Sequence, residues 1–401
     1  MRSLSPSRPI STKQISSDVL QSSKLRISLV VAFLLQAGCA AFGTTDTGIS
    51  LTTKPDTPAP EFVFHWDHQL VKPSTFSTHP GEFAAPAHSA GTDEVVVGTS
   101  NGELTKLQAS NGEILWQIRL KAALSSKPLV ARNTVYASTF GGQFVALDLF
   151  SGETRWEVDL GTTAEATPVF SEGRVLVKDN TDVLRALDAD TGEELWRYSR
   201  PTPEYFVMRQ SEAIAVDAGE VFAGFSDGHL VSLQLETGEL LWGVDLSAGA
   251  ESLMDVNQAP IVREDSVIAS SYSGGVYSLD RASGEINWRQ ALANITDLHH
   301  HQGFLYVTQA IGRASAYDAD TGEPIWGFKL ANTNSATGVV AFGPYLLLST
   351  SEATYVLDRA SGYPHNKLLG YSKVSSKLTF GADRLYMLSD RGVITAFQLG
   401  W

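Results

Sequence analysis

The feature of this sequence that most limits its fold is a tripeptide that keeps returning. Asn111-Gly112-Glu113, Ser151-Gly152-Glu153, Thr191-Gly192-Glu193, Thr237-Gly238-Glu239, Ser283-Gly284-Glu285 and Thr321-Gly322-Glu323 are each followed by a tryptophan four residues after the glycine: Trp116, Trp156, Trp196, Trp242, Trp288 and Trp326. A seventh copy, Ser361-Gly362-Tyr363, keeps the glycine but carries Asn366 at the aromatic position. The glycines are spaced by 40, 40, 46, 46, 38 and 40 residues. A period of this length marks a chain built by stacking one supersecondary unit on the next.

The unit has the pattern of a four-stranded sheet. In the second copy, 128–131, 134–139, 143–148 and 154–160 alternate apolar and polar residues, as strands with one face in a core do. The turn from Asp148 to Glu153 joins the third and fourth strands; its aspartate can bind turn amides and its glycine supplies a positive φ. Four antiparallel strands every ~40 residues is the layout of a propeller blade, and no helical period interrupts it. The C-terminus supplies three strands of one more copy, over 376–381, 384–389 and 392–399. The missing fourth strand lies at the other end, where Phe62-Val63-Phe64-His65-Trp66 has the alternation and the tryptophan but no blade of its own. The expected fold is therefore all-β: an eight-bladed β-propeller of four-stranded antiparallel blades, closed by pairing of the N- and C-terminal strands, which removes two open sheet edges.

An indole buries on the order of 200 Å². One at the same place in every unit is expected to dock neighbouring blades. Shared positions thus hold the fold, and function is to be sought where copies differ. The distance from Trp116 to Pro128, and from Trp156 to Pro168, is 12 residues, but from Trp196 to Ile214 and from Trp242 to Pro260 it is 18. Two successive inter-blade connections carry six extra residues each, and both should emerge on one face of the ring. The first contains Phe206, Val207 and Met208 beside Arg209; the second contains Leu253, Met254, Asp255 and Asn257. Apolar groups next to a charge on an exposed connection suit a protein-docking patch. The competing reading is that these hydrophobes fold back and plug the central channel.

Charge and cysteine content narrow the partners. The chain has 401 residues and a net charge of −14. Residues 1–38 hold five basic groups against Asp18, so without them the remainder stands at −18. Such a surface repels phosphate backbones, and no nucleic-acid partner is expected. The single cysteine, Cys39, excludes a disulfide framework or a cysteine zinc cage. It follows Lys24, Arg26, the apolar run Ile27 to Leu35, and Gln36-Ala37-Gly38. Nine apolar residues cannot span a bilayer core of about 30 Å, so 1–38 reads as a signal peptide. The small residues before Cys39 resemble a lipobox, with Gln36 where leucine is usual, and imply that Cys39 becomes the lipidated first residue of the mature chain. Residues 39–60, rich in Thr, Asp, Gly and Pro, read as a flexible linker, and 61–401 as the propeller.

Taken together, the lipobox, the repeats, the terminal split and the paired insertions resemble the BamB family, lipoproteins of the bacterial outer-membrane β-barrel assembly machinery. The resemblance covers Cys39 to Trp401. It implies a non-catalytic scaffold on the periplasmic face of the outer membrane, held by the lipid anchor only. Such a scaffold docks on the periplasmic domains of BamA within the assembly complex and helps outer-membrane proteins, whose unfolded strands are further possible partners, to fold and insert. It also implies partner contacts from a leucine-x-leucine-arginine motif in the first insertion and an Asp-x-Asp in the second. Phe206, Met208 and Arg209 stand at the first; Asp255 and Asn257 stand at the second, with one charge fewer.

Two other classes share the repeat. Pyrroloquinoline-quinone dehydrogenases are also eight-bladed, but they are typically much longer, hold the quinone with a calcium ion, and many use a disulfide beside it. Cys39 alone cannot form that disulfide, and no carboxylate cluster has calcium-site spacing. A periplasmic propeller that binds peptides or glycans would place repeated aromatics in the channel, whereas these tryptophans fall on fourth strands. His299-His300-His301 is the only dense set of metal-capable side chains. It aligns with a hairpin between first and second strands and reads as a solvated turn. No phosphate loop, nucleophile elbow or HExxH pattern is present. The expectation is a non-enzyme without cofactor or metal.

Overall fold

Most repeat turns are held by their own aspartate; the turns at Gly112 and Gly238 have Gln108 and Gln234 in its place. Asp148 Oδ1 accepts the amides of Phe150 and Ser151, both at 2.9 Å, and Gly152 N–H closes the turn on Asp148 O at 2.9 Å. Gly152 sits at φ +76°, a conformation that costs an ordinary L-residue energy. Asp188, Asp280 and Asp318 bind the equivalent amides of their own turns. Local chemistry thus folds the chain back at the same point in copy after copy, and alternation decides which face of each strand is buried.

The computed structural model describes residues 55, 58–71, 82, 84–89, 91–203, 214–250, 252–330, 336–350, 353–368, 374, 376–381 and 383–400. They form eight four-stranded antiparallel sheets arranged as a ring of blades, without a helix. Blades I to VIII are numbered by their first strands, Ala87–Ser89, Leu129–Ala131, Val169–Ser171, Ile214–Asp217, Ile261–Val262, Ile295–His301, Ala336–Phe342 and Thr379–Gly381. Blade II is representative, with Leu129–Ala131, Thr134–Ser138, Gln143–Asp148 and Thr154–Asp159 in that order from the channel outward. In blade II the second and third strands are almost wholly buried, as in Thr134–Ser138, whereas the fourth, Thr154–Asp159, buries only Trp156.

The eighth blade is split as expected. Glu61–Gln69 pairs antiparallel with Val393–Gly400, from Glu61 opposite Gly400 to Gln69 opposite Val393. It completes a sheet whose other strands are Arg384–Leu388 and Thr379–Gly381. This seam also accounts for the seventh copy. Six indoles donate Nε1–H to the carbonyl that follows the repeat aspartate or its counterpart in the next blade: Trp66 to Ala109, Trp116 to Leu149, Trp156 to Ala189, Trp196 to Leu235, Trp242 to Arg281 and Trp326 to Arg359, at 2.9–3.1 Å. Blade VII faces the split blade, where the two chain ends replace the closed turn. There Asn366 Nδ2 donates to Pro60 O at 3.3 Å and the Tyr345 hydroxyl to Pro58 O at 2.5 Å. A shorter donor serves because the incoming chain fills the space an indole would take.

The tryptophans therefore do dock neighbouring blades. Burying an indole contributes about 5 kcal/mol by area alone, before entropy. The cores follow the same logic: Trp156 packs with Tyr136, Phe144 and Ala146 of its own blade and with Val175, Val177 and Leu187 of the next.

Candidate partner-binding site

Strand direction fixes which connections share a face. Fourth strands end beside the hairpin that joins second to third strands, because Leu160 N–H bonds Gly142 O and Leu246 N–H bonds Gly228 O, both at 2.8 Å. Both long connections start from such ends, at Ser199 and Asp245, so their roots leave one face of the ring. The repeat turns lie on the other face. So does the N-terminal approach, since Glu61 pairs with Gly400 at the end of a third strand while Gln69 reaches the Ser389–Gly392 hairpin.

The root of the first insertion is tied across blades III and IV. Arg200 N–H bonds Asp182 O at 3.2 Å, its guanidinium pairs with Asp227 at 2.7 Å, and the Thr202 hydroxyl bonds Thr181 O at 3.0 Å. Asp182 is buried; it pairs with Lys178 at 2.8 Å and accepts the Ser226 amide at 3.3 Å. Phe206, Val207, Met208 and Arg209 themselves lie outside the described residues, as does Cys39.

The second insertion is described except for residue 251, and most of it folds inward. Burial works against ionisation of Asp245 at its start, but the Ser247 amide and hydroxyl, with His229 and Arg200, hold the carboxyl below its ordinary range. Ala248 and Leu253 both adopt φ 53°, which bends the loop back over the hairpin at Gly228, where Met254 packs. The chain then runs between blades IV and V. Ser271 hydroxyl bonds Met254 O at 2.7 Å, Tyr272 N–H bonds Asp255 O at 2.9 Å, and Val256 N–H bonds Phe225 O at 3.1 Å. Gly224 makes this approach possible, since a Cβ there would lie 2.2 Å from Val256 O.

The consequence for the expected docking residues is specific. Asp255 and Asn257 are buried, at 3% and 6% exposure, beneath the corner. Asn257 Oδ1 accepts from Gln258 Nε2 at 3.3 Å. Val256 joins a core with Phe222, Leu230 and Tyr277, so this apolar group fills the seam between blades IV and V. Ser252 is exposed, and Leu253 and Met254 are half-buried. Ala248 and Gly249 are exposed as well, so the outer part of the second insertion is 248–254 and its inner part 255–257. Sequence spacing located the corner; it carried no signal for which of its side chains turn inward.

The histidine triplet differs from expectation. His299, His300 and His301 are not in a solvated turn: they end the seven-residue strand Ile295–His301, paired with Tyr306, Leu305 and Phe304, and the turn falls at Gln302-Gly303. A bulge between Ile295 and Asp297 extends this strand beyond the three residues found in blade II. All three side chains are half-buried. Burial foremost, then the neighbouring His301, His300 and Lys377, pushes His299 down to about 4. Among the described residues no three His, Cys, Asp or Glu side chains are grouped to hold a metal ion.

The model of the family described as outer membrane protein assembly factor BamB matches residues 65–149 and 131–328. No curated protein matches the sequence. Among solved structures, BamB from Moraxella catarrhalis superposes with a TM-score of 0.74 at 23% identity, covering 84% of this chain and all of that one. Quinohemoprotein alcohol dehydrogenase ADHIIG from Pseudomonas putida HK5 superposes with a TM-score of 0.68 at 13% identity, covering 84% of this chain and 76% of that enzyme. The computationally designed Ika8 protein gives 0.66 at 16% identity, over 80% of this chain and 97% of that one. These likenesses are likenesses of fold.

Proposed function

The chain belongs to the family of the outer membrane protein assembly factor BamB, and from that premise we propose that it is a non-catalytic scaffold of the outer-membrane β-barrel assembly complex. It is exported by the signal peptide 1–38, anchored at the periplasmic face of the outer membrane through lipidated Cys39, and joined to the propeller by the linker 39–60. It docks on the periplasmic domains of BamA and assists the folding and insertion of outer-membrane proteins.

The observation that carries this reading is the pair of lengthened connections whose roots share one face of a ring that is otherwise regular. In the first, Phe206 and Met208 supply apolar bulk and Arg209 the charge, the combination found at interface hot spots. In the second, Ser252, Leu253 and Met254 meet the partner, while buried Asp255 and Asn257 contribute through the shape of the corner. Pro58 to Pro60 approach blade VII at the face of the repeat turns, opposite the roots of the two long connections.

The test is purification of the full chain from detergent-solubilised outer membranes, with its companions identified by mass. BamA among the stoichiometric companions is the expected result. Its absence under mild detergent, or turnover of an alcohol by the chain supplied with quinone and Ca²⁺, would overturn the reading.

A further inference from the structure

Among the described residues, six fourth strands end on the same bond. The residue after the strand donates its N–H to the last residue of the hairpin that joins the second and third strands of its own blade, at 2.8–3.2 Å. Leu70, Leu120, Leu160, Leu246 and Leu330 are five of these donors, and each bonds a glycine of positive φ. Their side chains pack into the cores between blades.

The sixth departs from the pattern in every part. At the root of the first long connection, blade III has Arg200 in place of the leucine and Asp182, at φ 59°, in place of the glycine. The Arg200 guanidinium crosses to blade IV and pairs with Asp227 at 2.7 Å. In the other five hairpins the position of Asp227 is held by Asn101, Gly141, Thr181, Ile311 and Arg391. Asp182 in turn pairs with Lys178 at 2.8 Å and accepts the Ser226 amide and hydroxyl, both at 3.3 Å. Matched departures at one seam thus replace an apolar joint by an ionic one.

Stability does not account for the exchange. Desolvating two charges offsets most of their attraction, and apolar side chains of similar size hold such a seam as well or better. What the pair adds is direction, because a guanidinium–carboxylate bond has a fixed geometry and leucine packing does not. The hairpin of Asp227 also carries the second long connection. Leu246 N–H bonds Gly228 O at 2.8 Å, Met254 packs on Gly228, and Val256 N–H bonds Phe225 O at 3.1 Å. Both connections are therefore mounted on Phe225–His229.

On the docking reading proposed above, we infer that Arg200 and Asp227 are a positioning pair for the partner: they fix the exit of the first long connection against the hairpin that carries the second. A connection held at its root has less freedom to lose when a partner orders it, so the pair raises affinity without touching the partner.

Calorimetric titration of the purified periplasmic domains of BamA into the full chain in detergent tests this. The double variant Arg200→Leu, Asp227→Asn gives the seam the residues that blades VIII and I carry at Leu70 and Asn101. Its hairpin can keep its own bond, since Asn101 Oδ1 accepts the Glu103 amide at 3.0 Å as Asp227 Oδ1 accepts that of His229 at 3.1 Å. The double variant should keep or raise the thermal midpoint and yet bind about tenfold more weakly. Arg200→Lys, which preserves the charge pair, should lose less. In a chain already carrying Arg209→Glu the double variant should also lose less than tenfold, because the pair acts through the connection that holds Arg209. Undiminished affinity of the double variant, the same loss in the Arg209→Glu background, or a loss matched by a fall in the thermal midpoint would overturn the positioning role and leave docking intact. No saturable binding by the unaltered chain would overturn docking and the positioning role together.

Discussion

Trp156 lies flat against Gly192 of the following blade, so closely that a Cβ on that glycine would stand 2.8 Å from the indole. The glycine serves twice, since it also occupies φ +77° in its turn. The same contact recurs between Trp66 and Gly112, Trp196 and Gly238, and Trp326 and Gly362. Glycine in one repeat and tryptophan in the repeat before it are therefore two halves of one joint. Gly192→Ala should lower the midpoint of thermal unfolding through both strain and collision, and Trp156→Ala should cost about 3–5 kcal/mol.

The joints are not equal. Trp288 covers Gly322 in the usual way, but its Nε1 has no hydrogen-bond partner. The carbonyl at the equivalent position, Ala319 O, instead accepts Arg263 Nη1 at 3.1 Å. Trp156→Phe removes a bond to Ala189 O and should cost about 1 kcal/mol beyond the loss of ring area. Trp288→Phe removes no such bond and should cost less. Denaturation of the two variants side by side checks the difference.

Acid should weaken the fold in two stages. His299 is held neutral in the folded chain down to about 4, whereas an unfolded histidine protonates near 6.5. The unfolded state then binds more protons, so its contribution is complete above about 6.5 and is lost as pH falls toward 4. Asp148 is held down to about 2 by Arg155 and the turn amides, and Asp188 and Asp318 are lowered by their turns. Their stabilisation is present above about 4 and disappears as pH falls from there toward 2. Unfolding midpoints measured from pH 7 to 3 should decline across the first window, and His299→Gln should flatten that part while leaving the decline below pH 4.

Much of the ring was legible because its determinants are local. Asp148, Gly152 and Trp156 lie within one turn and the strand after it, so their spacing alone specified the blade, and counting partial copies specified the split. Asn366 could be seen as an exception, but its reason is Pro60, which is 306 residues away. The histidine triplet was misassigned to a turn because Gln302-Gly303, two residues on, and not the histidines, stand where Arg132-Asn133 turn the chain in the second copy, and His301 pairs with Phe304 as Ala131 pairs with Thr134. Asp255 read as exposed because loops usually are. Its burial follows from the bond of Tyr272 N–H to Asp255 O and of Val256 N–H to Phe225 O, which tie this stretch to two different blades and which no local pattern encodes.

Lipid attachment at Cys39 yields a separate expectation. Cys39→Ser should move the chain from the membrane fraction to the soluble periplasmic fraction, because removing the acyl chains removes the only proposed hold on lipid. Unchanged fractionation would contradict the anchor.

The docking claim is tested most directly by titrating the purified periplasmic domains of BamA into the full chain and into Arg209→Glu. Saturable one-to-one binding is expected, weakened by the substitution by about 2 kcal/mol or more, roughly thirtyfold, with the thermal midpoint unchanged. Equal affinity of the two proteins would contradict it.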